Sequence, residues 1–583
     1  MHRFIIAFSL LSFSLLAGAQ TSPNGKIRVA VQGNALTVEY KAGKEWQKIM
    51  TMPTEYRTQS SVMKEKVSYN MVVGKRLQCS NEYTASVYAN EENSESKLQV
   101  RVYNDGVAWS GIHDYSVDFS SSQNNWIQKW TDPYEGFFPL NTSIKSGERF
   151  GYPALFEYKN GVYALLSESC LDKSNAASSM YAEGEGLKFS IRPDGQEQGG
   201  WQTLIIGSMS DVVESTLITD NSESCKLADT SWIEPGVASW IYWAYNHGSN
   251  DFSIIKRYVD MAVELNLPYV LIDAEWDEMD KIATNEGKTI EDAVRYANEK
   301  GIKPIIWYNS SVGWINGAPG PKFRLNKPED REKEFAWCEK LGVKGVKIDF
   351  FSGDTNLNIK YMIKLLESAA EHHLLVNFHG ATIPRGWQRT YPNLVSTEAV
   401  YGAEWYNNVP TFTAKAARHN ATLPFTRNVI GSMDYTPCAF TDSQHPHITT
   451  HAHELALTAL YESGIQHLAD RPESFLAQPQ QVKDYLAGLS SVWDETKLLA
   501  GYPGSYVVMA RRRANTWYIA GINGEDDAKT ISFDIKRLKK LGKKVMVFED
   551  SGDKASPWKI TATNKVPAKF TCQPRGGFLV VIN

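Results

Sequence analysis

The sequence predicts a multidomain fold, α/β joined to all-β: an N-terminal β-sandwich, a central (β/α)8 TIM barrel and a C-terminal antiparallel β-domain. Three observations carry this. Short alternating segments separated by Asn-Gly, Asp-Gly and Pro-containing turns run from about Gly25 to Cys225. From Thr230 the rhythm changes to strand and helix in alternation. Beyond about Trp493 the alternation of period two returns. The expected boundaries are a signal peptide at 1–19, the sandwich at 20–228, the barrel at 229–490 and the last β-domain at 491–583.

In the first region the strands are typified by Leu36–Tyr40, Leu98–Tyr103 and Gly161–Leu166, with Glu168 just after the last of these. The barrel begins with a strand at Ser239–Trp243. A helix follows over Asn250–Leu265, striped by Ile254, Ile255, Tyr258, Val259 and Ala262. Tyr269–Asp273 is the second strand. Thr289, with an acid at the third helical position, opens the next helix and Gly301 closes it, before a strand at Pro304–Tyr308. Pro328 and Gly342 bracket the helix that precedes Gly345–Asp349. Asn356–His372 is helical, and Leu374–Phe378 and Leu394–Glu398 continue the strands, so Asp349 ends strand four and Glu398 strand six. Strand seven is expected within Pro424–Ile430. A helix at His451–Ser463 and a strand at Gly464–Leu468 complete the eight. Tyr506–Ala510, Trp517–Ile522 and Gly577–Ile582 are strands of the last domain.

At 583 residues the chain has room for several cores, and 42% apolar with 22% charged residues is an ordinary globular balance. A net charge of -5, with no basic run interleaved with aromatics, argues against nucleic acid. Met1-His2-Arg3, an apolar run and Ala17-Gly18-Ala19 have the form of a secretory signal peptide, which implies export to the periplasm. No later stretch is long and apolar enough for a membrane span. Six scattered cysteines indicate neither a zinc site nor a disulfide framework. A monomer is the expected state.

The chemistry concentrates between Gly342 and Trp405. Asp349 and the Glu398–Glu404 segment end alternate strands, so they face each other across one barrel mouth. Two carboxylates in that position suit glycoside hydrolysis, one to protonate the leaving oxygen and one to attack or to activate water. The simpler alternative is that each acid caps a helix or pairs with a lysine. Lys347, two residues before Asp349, faces the same way from its strand; it favours the ionised aspartate and is expected to bind a sugar hydroxyl of the substrate. Asp273 and Asp434, in strand-end or loop settings, are expected to contact substrate, as is His379. Trp240, Trp243, Trp276, Trp307 and Trp405 are candidate platforms for a sugar ring.

With these residues in view, the mature chain resembles glycoside hydrolase family 97. The likeness rests on Gly345-Val346-Lys347-Ile348-Asp349-Phe350, on the run His379–Asn393, on Glu398–Glu404, and on Ala510-Arg511-Arg512 with Trp517–Asn523. The family includes inverting α-glucosidases and retaining enzymes that are mostly α-galactosidases, sharing a catalytic acid and an active-site calcium. The resemblance implies Glu404 as the acid and Glu168, Glu398 and Glu404 as calcium ligands. Inverting members carry a glutamate base directly after the strand-five histidine, where this chain has Gly380. Retaining members have an aspartate nucleophile ending strand four, where this chain has Asp349. The implied partner is an α-galactoside oligosaccharide. An α-glucoside or an L-arabinopyranoside, and in another class a sugar-binding protein without turnover, stand as alternatives.

Overall fold

A computed structural model describes residues 19–90, 93, 95–242, 247–405, 409–553 and 555–583. Residues 1–18, which hold nearly all of the expected signal peptide, and Trp243 lie outside the described residues. No described helix is long and apolar enough to cross a membrane.

The N-terminal region is a 16-stranded antiparallel sheet, folded as a sandwich over residues 20–207. Alternation is why it forms: along Ala35–Ala42 and Lys97–Tyr103, buried and more exposed positions alternate, so one face supplies the core. Glu168 lies within a strand, Tyr163–Ser169, and not after one; the preceding Lys159–Gly161 is a tight turn.

Six barrel strands follow in order: β1 Gly236–Trp240, β2 Tyr269–Ile272, β3 Lys303–Asn309, β4 Gly345–Asp349, β5 Leu375–Phe378 and β6 Leu394–Thr397. They pair parallel with their neighbours, and β7, Ile465–Leu468, returns to pair parallel with β1. The helices between them begin and end where their caps dictate. Asp251 caps Phe252–Glu264, Thr289 and Asp292 form a capping box on Ile290–Glu299, and Gly342 closes Pro328–Leu341 at φ 89°.

The seventh barrel position departs from expectation. Pro424–Ile430 is not a strand; it makes two tight turns, Leu423–Phe425 and Arg427–Val429. Among the described residues the barrel wall is carried there by a single parallel bridge between Met433 and Thr397, leaving a nearly closed barrel of seven strands. The reason is Arg427. Its buried guanidinium donates to the carbonyls of Thr397 (2.9 Å), Glu398 (3.1 Å), Ala399 (3.0 Å), Gly431 (3.0 Å) and Ser432 (2.9 Å). One side chain thus satisfies acceptors that a strand's N–H groups would otherwise have met.

The C-terminal domain is a six-stranded antiparallel sheet plus a two-stranded one, Lys529–Ser532 with Lys569–Cys572. All six cysteines are free.

Candidate active site

The parallel register between β3, β4 and β5 sets Trp307, Lys347 and Asn377 side by side, and Asp349 opposite Asn309 at the strands' C-terminal ends. Asp349 accepts from Trp307 Nε1 (3.1 Å) and from the backbone N–H of Phe350 (2.7 Å), which fixes both carboxylate oxygens. Burial pushes its pKa up, while Lys347 and His379 hold it back. Lys347, only 1% exposed, donates to Asp273 Oδ2 at 3.0 Å. Burial works against its charge, but Asp273, then Glu404 and Asp349, keep the ammonium firmly protonated.

Gly380 sits between the two acidic elements. Its N–H donates to Glu398 Oε2 (2.8 Å), and its φ is +48°. A Cβ there would lie 2.9 Å from Asp349 Oδ1 and 2.9 Å from the Phe350 nitrogen. The space for any side chain at this position is therefore already filled by the Asp349 carboxylate and the backbone behind it.

Glu404 follows β6 on a segment whose carbonyls, at Ala403 and Glu404, accept from the Tyr242 hydroxyl. Burial pushes its pKa up to about 7, with Glu398 and Asp349 adding to the rise and Lys347 and His379 opposing it. His379 Nε2 is 2.7 Å from Asp434 Oδ2; its Nδ1 lies 3.4 Å from Glu398 and 3.8 Å from Glu404. Burial disfavours the charged imidazolium, yet Glu398 and the Asp434 hydrogen bond outweigh that and raise its pKa well above the usual value.

A fourth carboxylate enters from the sandwich. Glu135 faces Glu398, Glu404 and Asp349; burial and then these three charges raise its pKa well above the ordinary range. It is brought there by the docking of its loop. Trp130 Nε1 (2.8 Å) and the Tyr134 hydroxyl (2.7 Å) both donate to Asp354 Oδ2 of the loop after β4. Nothing local distinguishes Pro133-Tyr134-Glu135-Gly136 from an ordinary surface turn, so sequence reasoning passed it over.

Several expected roles change. Glu168 is not in this group. It is completely buried and accepts from Arg385 Nε (2.8 Å), Ser178 N (3.0 Å), Gly200 N (2.9 Å) and Gln202 Nε2 (3.1 Å). Those donors occupy both oxygens, so it serves as a domain-joining ion pair. Asp434 is 1% exposed and its Oδ2 accepts from Asn377, His379 and His467, so it orients His379 and does not reach a sugar. Asp273 is likewise tied to Lys347 and to Trp240 Nε1 (2.7 Å). Trp240 and Trp276 are core residues with their N–H groups spent inside, and Trp307 is buried with its N–H on Asp349; of the four candidate platforms among the described residues, Trp405 alone is half-buried.

The ligand atoms of His379, Glu398 and Glu404 lie within 4.8 Å of one another. His379 Nδ1 is buried and makes no hydrogen bond there. Carboxylates outnumber the cations Lys347 and His379 here, which fits a hard divalent ion; oxygens of Glu398 and Glu404 could hold one, with the Glu135 charge facing the same group.

Parallel strands ending in a nucleophile-like carboxylate, an elevated carboxylic acid and an anchored lysine define a barrel enzyme of the glycoside-cleaving class. Comparisons with known proteins agree. Family models described as "Glycosyl-hydrolase 97 N-terminal", "Glycoside hydrolase 97" and "Glycosyl-hydrolase 97 C-terminal, oligomerisation" match residues 21–223, 232–400 and 492–583. The chain belongs to glycoside hydrolase family 97. It is 37% identical over 452 residues to a "Probable retaining alpha-galactosidase" of Streptomyces bingchenggensis, covering 73% of this chain and 67% of that one. It is 28% identical over 570 residues to a "Retaining alpha-galactosidase" of Bacteroides thetaiotaomicron, covering 83% of each. Among solved structures, one described as "Crystal structure of beta-arabinopyranosidase" superposes with TM-score 0.85 at 26% identity, over 97% of this chain and 100% of that one. The chain is a glycoside hydrolase, and a sugar-binding protein without turnover is not the reading that these relatives support.

Proposed function

We propose that this enzyme hydrolyses terminal α-galactosides with retention of configuration. The observation that carries the reading is the packing at Gly380: Asp349 fills the position from which an inverting base would project, so the nucleophile and the distant base exclude one another. Asp349 attacks the anomeric carbon while Glu404 gives its proton to the departing glycosidic oxygen. Water then attacks the glycosyl-aspartate, Glu404 takes that water's proton, and Asp349 leaves. The Trp307 and Phe350 N–H groups orient the Asp349 carboxylate, and Lys347 favours its ionised form. Glu398 and Glu404, with Glu135 facing them, would hold a calcium ion, which would supply a fixed positive charge that offsets the clustered carboxylates and binds sugar hydroxyls.

Proton NMR of the wild-type reaction tests this: α-galactose is the first anomer released, whereas β-galactose first would overturn it. Asp349→Ala should nearly abolish turnover, with azide able to restore an inverted product. A second reading, an L-arabinopyranosidase, is favoured by the similarity to the arabinopyranosidase structure, and the ratio of kcat/KM on the two aryl glycosides decides between them. The leader-like start further supports export; a mature N-terminus at Gln20 is the expected finding by N-terminal sequencing.

A further inference from the structure

The loop after β3 presents bare aromatic surface beside the nucleophile. Trp314 is 52% exposed and Phe323, on the same loop, 54%. The loop is nailed to the end of β4: Ser310 N donates to the Asp349 carbonyl (2.8 Å), and Ser310 Oγ (2.8 Å) and Gly313 N (3.0 Å) donate to that of Phe350. Gly313 makes this approach possible, since a Cβ there would stand 2.3 Å from the Phe350 oxygen and 2.7 Å from that of Phe351. Ser311, Phe323 and Phe350 all hold positive φ, at 61°, 61° and 63°. Such strain persists only where surrounding structure imposes it.

This framework fixes the indole. Its edge-on contact with Phe350 has ring centroids 4.9 Å apart at 76°, and Phe350 in turn meets Trp307, whose N–H holds Asp349. The indole N–H is spent on the Asn316 carbonyl (2.7 Å), so the ring is oriented by polar bonds and offers its apolar surface outward. A tryptophan held rigid and half in water, one aromatic contact from the residue that flanks the nucleophile, has surface the core does not use.

We propose that Trp314 is the stacking platform for the leaving sugar, the pyranose that departs with the glycosidic oxygen. The C–H-rich face of a pyranose is apolar and its hydrogens match the electron-rich indole face. This rests on the reading of the site as a retaining α-galactosidase, and it makes a saccharide, not a simple alcohol, the preferred leaving group.

The test compares two substrates on the full-length enzyme: an α-galactosyl-glucose disaccharide, which has a ring to stack, and α-galactosyl fluoride, which has none. For Trp314→Ala the ratio of kcat/KM on disaccharide over fluoride should fall about tenfold, and Trp314→Phe should recover most of it. The partition of the glycosyl-enzyme toward added glucose over water should fall in parallel. If Trp314→Ala changes both substrates equally, or neither, while the wild type turns over both, the platform is wrong and the functional reading stands. If the wild type cleaves neither, the functional reading fails and the platform with it.

Discussion

Glu404 must carry a proton for the first step and Asp349 must not, so the useful pH window is bounded by the loss of each condition. Burial holds Glu404 at about 7 in the metal-free protein and a cation beside it lowers that value, so activity is expected to decline as pH rises, at about 7 or below, because the ionised acid cannot protonate a leaving oxygen. A pH profile of kcat/KM should show this basic limb on a substrate with a poor leaving group, and Glu404→Gln should abolish it. Gly380 gives a second residue-scale expectation. Gly380→Ala places a methyl 2.9 Å from Asp349 Oδ1 in a left-handed backbone, so the carboxylate or the strand end must shift. We expect kcat to fall at least about 100-fold, since misplacement of a reacting group by about 1 Å costs that much. Wild-type kcat in this variant would remove the packing argument for the nucleophile.

At the scale of elements, the missing seventh strand is replaced by an arginine. Arg427→Met keeps the volume but leaves the carbonyls of Glu398, Ala399 and Ser432 without their donor, while Asp434 N (3.1 Å) still serves Thr397 and Asn428 Nδ2 (3.4 Å) still serves Gly431. Each buried group left unpaired costs about 1–3 kcal/mol, so a loss of roughly 3 kcal/mol or more is expected in denaturant unfolding. Because two of those carbonyls belong to Glu398 and Ala399, calcium affinity should weaken in the same variant. A stable variant with unaltered calcium binding would mean that the wall at this position is held by the Met433 bridge alone.

For the molecule as a whole, the sandwich is part of the active site and not an appendage to it. Two glutamates cross the domain boundary for different ends. Glu168 pairs with Arg385 in complete burial, and removing one partner of such a pair typically costs about 3–5 kcal/mol. Glu135 reaches the acidic cluster, which it can join only while its loop is docked through Trp130 and Tyr134 on Asp354. Glu168→Gln should therefore lower stability while sparing calcium affinity in the folded fraction, and Glu135→Gln should do the reverse. Calorimetric unfolding and calcium titration on both variants check this; the opposite pattern would return Glu168 to the metal.

Much of this was legible in the linear order of residues because its causes are local. Strand periodicity, the Thr289–Asp292 capping box and the Pro328–Gly342 bracket operate within a few residues, and they placed Asp349 and Glu398 at the ends of strands four and six. The three-domain order and the candidate Asp349–Glu404 pair follow from that counting. What only the tertiary structure decided lies at long range. An arginine 30 residues beyond Thr397 substitutes for a strand, and Asp434 meets His379 across 55 residues. A glutamate in an unremarkable turn enters the site from another domain, while Glu168, within a strand of the same domain, is consumed by Arg385 217 residues away. Periodicity reports which face of an element is buried; it carries no information about which distant partner that face meets, and burial by distant partners sets the charge states on which the chemistry depends.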